Sequence, residues 1–230
     1  MSERVHYSHE ESIAIIRLDD GKANALSYAV LDELNAAFDQ AEKDGVQAIT
    51  LIGREGRFCA GFDLAEMGKG LPQAMNLALT GAELALRLFE SPVPVVIGAT
   101  GHALAMGAVL LLAVDERIGV DGAYKIGLNE VAIGMNLPGF ALVLAEARLA
   151  RRHLYRATSN AEIYTPAEAI DVGYLDKLAA NAVAEEAIAR AKVLAARLDS
   201  KAHAITKQDM RTEVLARLRA SIANDRARFV

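Results

Sequence analysis

Apolar residues along the chain follow two rhythms, and each change of rhythm marks an element. Ser12 to Leu18, with Ile13, Ile15 and Ile16, reads as a strand closed by the Asp19-Asp20-Gly21 turn. From Ser27, a predicted N-cap, to Asp44 the period becomes helical. Val30, Leu31, Leu34, Phe38 and Ala41 share one face, and Gly45 is the stop. Ala48 to Ile52 is a second strand, turned back by Gly53 to Arg57, so the chain opens in the order of an α/β layer. Leu71 to Phe89 predicts a helix burying Met75, Ala78, Leu79, Ala82, Leu86 and Phe89.

No charged residue lies between Glu90 and Asp115. Val93 to Ile97, fenced by Pro92 and Pro94, predicts a buried strand. Gly98, Thr100 and Gly101 are expected to break it, and Ala105 to Val114 reads as a buried helix. A strand feeding a glycine turn and a helix leaves backbone N–H groups free at the helix start, where an oxygen with developing negative charge can be held. An ordinary buried strand–turn–helix gives the same pattern. The length suits a membrane span, but the glycines, the proline pair, His102 and the polar flanks argue against one. Arg117 to Val120 and Tyr124 to Ile126 read as short strands.

The last third is helical. Gly139 to Leu149 carries an apolar stripe, and Arg151, Arg152 and Arg156 form a basic face. Thr165-Pro166-Ala167-Glu168 is a capping box whose helix ends at Gly173, with Tyr174 to Leu178 extended after it. Ala182 to Leu198 aligns Val183, Ala187, Ala191, Leu194 and Leu198. Ile205 to Ile222 repeats the pattern with Val214, Leu215 and Leu218.

Composition narrows the classes. The 230 residues suffice for one domain, with room for a small helical appendage. A net charge of −5 argues against an electrostatic nucleic-acid binder. A single cysteine, Cys59, excludes an internal disulfide and supplies no zinc cluster; it reads as a small core residue. The polar N-terminus lacks the apolar core of a secretory signal, so a cytoplasmic protein is expected. Among ionisable residues Glu130 stands out, placed among Leu128, Val131, Ala132, Ile133 and Met135. It is either a general base with a burial-raised pKa or a surface glutamate ahead of the helix near Pro138. Gly61 allows a tight bend presenting the Phe62 N–H. His102 reads as structural rather than as a proton shuttle.

Three separated motifs then coincide: Phe58-Cys59-Ala60-Gly61-Phe62-Asp63-Leu64, Gly101-His102-Ala103-Leu104-Ala105-Met106-Gly107, and Ile126-Gly127-Leu128-Asn129-Glu130. In order and spacing they resemble the crotonase (enoyl-CoA hydratase/isomerase) superfamily across nearly the whole chain. The resemblance implies an α/β fold, a crotonase-like spiral of ββα units over residues 1–180, with a C-terminal helical region at 181–230 in the same functional unit. It implies an acyl-CoA thioester substrate of fatty acid metabolism and a homotrimer or hexamer, with no metal and with coenzyme A only as part of the substrate. Nucleic acid and membrane partners are not expected.

By the same resemblance, the thioester oxygen is held by the N–H groups of Phe62 and Met106, and Glu130 is the acid/base. Lys22, Ala23, Ala25, Ala60, Gly61, Asp63, Leu64, Gly107 and Val109 are its substrate and CoA positions, with Lys22 toward the nucleotide and Asp63 fixing the loop or capping the next helix. Hydratases of the family use two glutamates; the first maps to Val109, and no acid lies between Met106 and Val114. The Gly127-Leu128-Asn129-Glu130 motif is similar to that of Δ3,Δ2-enoyl-CoA isomerases, which work with one glutamate. The expected activity is therefore an isomerase. A hydratase-like enzyme (a lyase) and a catalytically impaired acyl-CoA binder are the alternatives. Met106 replaces the family's usual glycine, which keeps the N–H and narrows the acyl pocket. Family members usually continue for another helix past Val230, so a shortened or borrowed lid is expected.

Overall fold

The computed structural model describes residues 4–227. In chain order the strands are β1 (Val5–Glu10), β2 (Ile13–Leu18), β3 (Ala48–Gly53), β4 (Gly56–Cys59), β5 (Val95–Ala99), β6 (Gly101–Leu104), β7 (Glu116–Gly119), β8 (Ile126–Gly127) and β9 (Lys177–Leu178). The helices are α1 (Tyr28–Lys43), α2 (Leu64–Met67), α3 (Leu71–Glu90), α4 (Met106–Leu112), α5 (Gly139–Arg148), α6 (Leu154–Ala157), α7 (Pro166–Val172), α8 (Val183–Arg197) and α9 (Ser200–Ala227). A six-stranded sheet runs β1-β2-β3-β5-β7-β9 and a three-stranded sheet runs β4-β6-β8. Every strand pair is parallel except β1 with β2.

The large sheet is covered on both faces, which explains its near-continuous apolar strands. On one side Ile13, Ile15, Ala48, Ile52, Val96 and Ile118 meet Val183, Ala187, Ala191 and Leu194 of α8. The alternate residues, Ala14, Ile16, Leu18, Ile49, Leu51, Val95 and Ile97, enter the main core. Helix α1 begins as expected, the Ser27 hydroxyl accepting from the Val30 N–H, and buries the predicted face. The Thr165–Glu168 capping box is also present.

Several expectations change. Of the α3 residues expected on the buried face only Ala82 and Phe89 are buried, because the helix turns Leu77, Gly81, Leu84, Ala85 and Leu88 inward instead. Gly98 does not break the central strand, because β5 continues to Ala99; a β-carbon there would lie 3.1 Å from that of Ala187, so the glycine lets α8 approach. Gly101 likewise opens β6, packed against the backbone of Gly56. The polar N-terminus contains a strand, β1, of which only Val5 is buried and Tyr7 half-buried. Its other residues are the polar surface of an edge strand.

Helix α9 is one 28-residue element that starts before Ile205, which is exposed. It lies on α3 and α5, and its buried face reads Lys207, Leu215, Leu218 and Ile222. Lys207 and Arg211 both converge on Asp115. Lys207 Nζ donates to Asp115 Oδ2 at 2.7 Å, Arg211 to Oδ1 at 2.8 Å, and the Val95 N–H to Oδ2 at 2.7 Å. Burial pushes Lys207 down to about 8 against the opposing pull of Asp115. Nearby cations also serve helix ends: Arg211 donates to the Phe89 carbonyl of α3, Arg148 to Val114 O after α4, and Arg117 to Gly173 O after α7. Cations at these C-terminal carbonyls oppose the negative ends of the helix dipoles. The hub anchors α9 to the base of α4, with the free amides at the other end of that helix.

Candidate active site

The site is assembled from the ends of β4 and β8, the start of α4 and the loop before α1. That loop is fixed by Asp20, whose carboxylate accepts from the N–H groups of Lys22, Asn24 and Ala25. Asn24, fully buried and at φ 55°, donates from its amide to the carbonyls of Leu18, Arg57 and Phe58. Sequence reading passed Asn24 over as part of a small-residue loop; an asparagine four residues after a turn aspartate was the available signal. The loop is then stitched to the strand exit. The Ala60 N–H donates to Ala23 O, Leu26 N–H to Gly61 O at 2.8 Å, and Asp63 N–H to Leu26 O. This uses the Ala60 and Asp63 amides and the Gly61 carbonyl, and among the described residues the Phe62 N–H has no acceptor.

The second free amide belongs to Met106, the first residue of α4, whose N–H also has no acceptor among the described residues. The bend places it beside Gly61: a β-carbon on Gly61 would sit 3.5 Å from Met106 N and 2.9 Å from Ala105 Cβ. Gly61 adopts φ +97° and Ala105, capping α4, adopts φ 50° and ψ −124°. An alanine held at positive φ stores backbone strain, and such strain concentrates at functional sites. The Met106 side chain does not protrude; it is 1% exposed and points toward Gly81 on α3, against which the Phe62 ring also packs.

The carboxylate comes from the turn that follows the neighbouring strand, β8. Ala105 N–H donates to Gly127 O at 3.0 Å, which ties the start of α4 to β8 three residues before Glu130. Glu130 is 7% exposed, so of its two readings the surface one fails. Burial raises its pKa, with its own backbone amide pulling the other way, and its Oε2 has no hydrogen-bond partner. Chemically, two unpartnered amides can hold an oxyanion, and a buried carboxyl of raised pKa can take up and return a proton.

The other sequence candidates fall around this centre. Asp63 caps α2, its carboxylate accepting from the Ala65 and Glu66 N–H groups. Leu64 and Lys22 are exposed, while Ala23, Ala25 and Ala60 are half-buried. Val109 is buried inside α4, and Gly107 lies so close to Cys59 that a β-carbon would meet its carbonyl oxygen at 2.2 Å. Cys59 is buried, its thiol pushed up to about 12 by desolvation, which suits a core residue and not a nucleophile. His102 accepts from the Lys125 N–H at Nδ1, and burial with the nearby Arg57 and Lys125 lowers its pKa. It is a structural residue. Val131, Ile133 and Met135 form an exposed apolar lip next to Glu130. Among the described residues no His, Cys, Asp and Glu side chains group as a metal-ligand set, and no helix is long and apolar enough to cross a membrane.

The α/β fold with its two largely parallel sheets is that of the crotonase class. A profile of the enoyl-CoA hydratase/isomerase family matches residues 8–230, and the chain belongs to that family. It is similar to a probable enoyl-CoA hydratase of Bacillus subtilis, with 35% identity over 84% of this chain and 74% of that protein. It is also similar to human mitochondrial enoyl-CoA delta isomerase 1, with 30% identity over 90% of this chain and 70% of that one. Among solved structures, a Mycobacterium tuberculosis enoyl-CoA isomerase superposes with a TM-score of 0.93 at 41% identity, covering 99% of both chains.

Proposed function

We propose that the protein is a Δ3,Δ2-enoyl-CoA isomerase with Glu130 as its only acid/base. The observation that carries the reading is the pairing of a buried Glu130 with Val109 on α4. Adding water across a double bond needs one group to activate the water and another to deliver a proton, and α4 has no acid to contribute. Moving a proton needs only one such group.

In the proposed step the Glu130 carboxylate takes the proton from C2 of a 3-enoyl thioester. Electrons move from the C2–H bond toward the carbonyl, and the resulting dienolate oxygen accepts hydrogen bonds from the Phe62 and Met106 N–H groups. Glu130 then returns its proton to C4 as the double bond re-forms between C2 and C3, giving the 2-enoyl thioester. Each oxyanion donor is worth on the order of 10²–10³ in rate. Lys22 and the loop to Ala25 take the CoA end, and the chain works as a trimer or a pair of trimers, which light scattering checks.

The test is a paired assay on one preparation, with trans-3-enoyl-CoA for isomerisation and trans-2-enoyl-CoA for hydration. Isomerisation is expected to exceed hydration by roughly 10²-fold or more, the contribution of a missing general acid–base partner. Hydration at an equal or greater rate would favour the hydratase reading instead, which the name of the Bacillus subtilis relative supports.

A further inference from the structure

Two buried tyrosines adjoin the segment that leads from β8 to Glu130. Tyr174 is fully buried at the residue after Gly173, and Tyr164, 4% exposed, pairs with Ile126 of β8 through two main-chain hydrogen bonds of 2.9 Å. Their ring centroids are 6.2 Å apart. Among the described residues neither hydroxyl has a hydrogen-bond partner, and neither do Oε2 of Glu130 and Oδ1 of Asn129. Buried polar atoms are nearly always paired, so four unpaired atoms on adjoining segments call for an account. They are complementary: two phenol donors and two oxygen acceptors.

Tyr174 is the better placed donor. Its hydroxyl approaches the backbone amide of Leu128, two residues before Glu130. Burial chiefly, then Tyr164 and the Glu130 charge, raise its pKa, so the phenol keeps its proton. The other charged groups nearby act elsewhere. Glu162, Arg156 and Glu168 act on Tyr164, His153 sits edge-on to Tyr164 and is held by Asp171, and Arg117 donates to Gly173 O.

We propose that Tyr174 is a positioning residue for the acid/base: its hydroxyl donates to Oε2 of the ionised Glu130 across one water. This rests on Glu130 being the group that moves the proton. A donor to the ionised form lowers a carboxyl pKa, so the phenol counteracts part of the burial shift and fixes the rotamer of the carboxylate.

The experiment titrates the Glu130 carboxyl in the free protein by carbon-13 NMR of labelled glutamate, the signal assigned by its loss in Glu130→Gln. In Tyr174→Phe the Glu130 pKa is expected to rise by about one unit, and kcat to fall on the order of tenfold with KM nearly unchanged. Site-specific 3-fluorotyrosine at 174, a more acidic phenol of almost the same shape, is expected to shift the pKa the opposite way; it serves even where the phenylalanine variant does not fold. An unchanged Glu130 titration in the fluorotyrosine protein, or in a folded phenylalanine variant, overturns the proposal. Because the titration needs no substrate, it stands apart from the isomerase reading, which fails instead on full turnover by Glu130→Gln.

Discussion

Gly61→Ala tests the amide pair directly. The new methyl enters between the two segments that carry the free N–H groups, at 2.9 Å from Ala105 Cβ, 3.3 Å from Leu104 O and 3.5 Å from Met106 N. The first contact is shorter than carbon atoms tolerate, so the bend and the start of α4 must separate. The φ of +97° adds the strain of an L side chain in the left-handed region, about 1–2 kcal/mol. For a domain of this size that corresponds to a fall in Tm of roughly 2–8 °C. Displacing one amide from an oxyanion costs about 2.7–4 kcal/mol in the transition state, or ~10²–10³ in kcat. Circular dichroism and stopped-flow turnover of an enoyl-CoA measure the two effects separately. The expected result is a folded protein with kcat reduced at least ~10²-fold and KM altered by only a few-fold. A folded variant with kcat within about threefold of wild type would refute the reasoning.

Other perturbations separate stability from chemistry. The carboxyl of Glu130 is harder to ionise in the fold than in the unfolded chain, so its charge destabilises the protein above its folded pKa. Glu130→Gln should therefore raise Tm at pH 7–8 and lose that gain as the pH falls below the unfolded glutamate value; a lowered Tm at pH 8 would contradict this. For the same reason the acidic limb of kcat/KM should lie above the ordinary glutamate pKa of about 4.3, with activity lost as pH falls through it. Asp115→Ala strands Lys207 and Arg211 in a nearly dry site and should cost about 3–5 kcal/mol in urea unfolding. Arg226→Ala, which removes an exposed partner of Glu83, should cost under ~1 kcal/mol.

Local signals were legible where one residue determines the outcome. Ser27, Asp63 and Thr165 each cap the helix that follows them, and the apolar runs of β2 and β3 read as strands. Glycine misled where it serves packing and not turning. Gly98 and Gly101 are inside strands because Ala187 and Gly56 press against them, and those partners lie far along the chain. The Asp115 hub was hidden for the same reason, since Lys207 is 92 residues away. Its trace was present in α9, where Lys207 and Arg211 continue the spacing of Leu215 and Leu218, a charged start to an apolar face. At the site, the identities of Phe62, Met106 and Glu130 came from motifs. Burial alone decided between the two readings of Glu130, and burial is a tertiary property.

The most direct measurement is the growth of the conjugated 2-enoyl thioester absorbance when purified protein meets trans-3-enoyl-CoA, beside Glu130→Gln at equal concentration. A single carboxylate working against two amides predicts rapid conversion by the wild type and a loss of ~10³-fold or more in the mutant, with the thioester still bound. Conversion by Glu130→Gln within about tenfold of wild type would contradict the central claim and assign the proton transfer to another group.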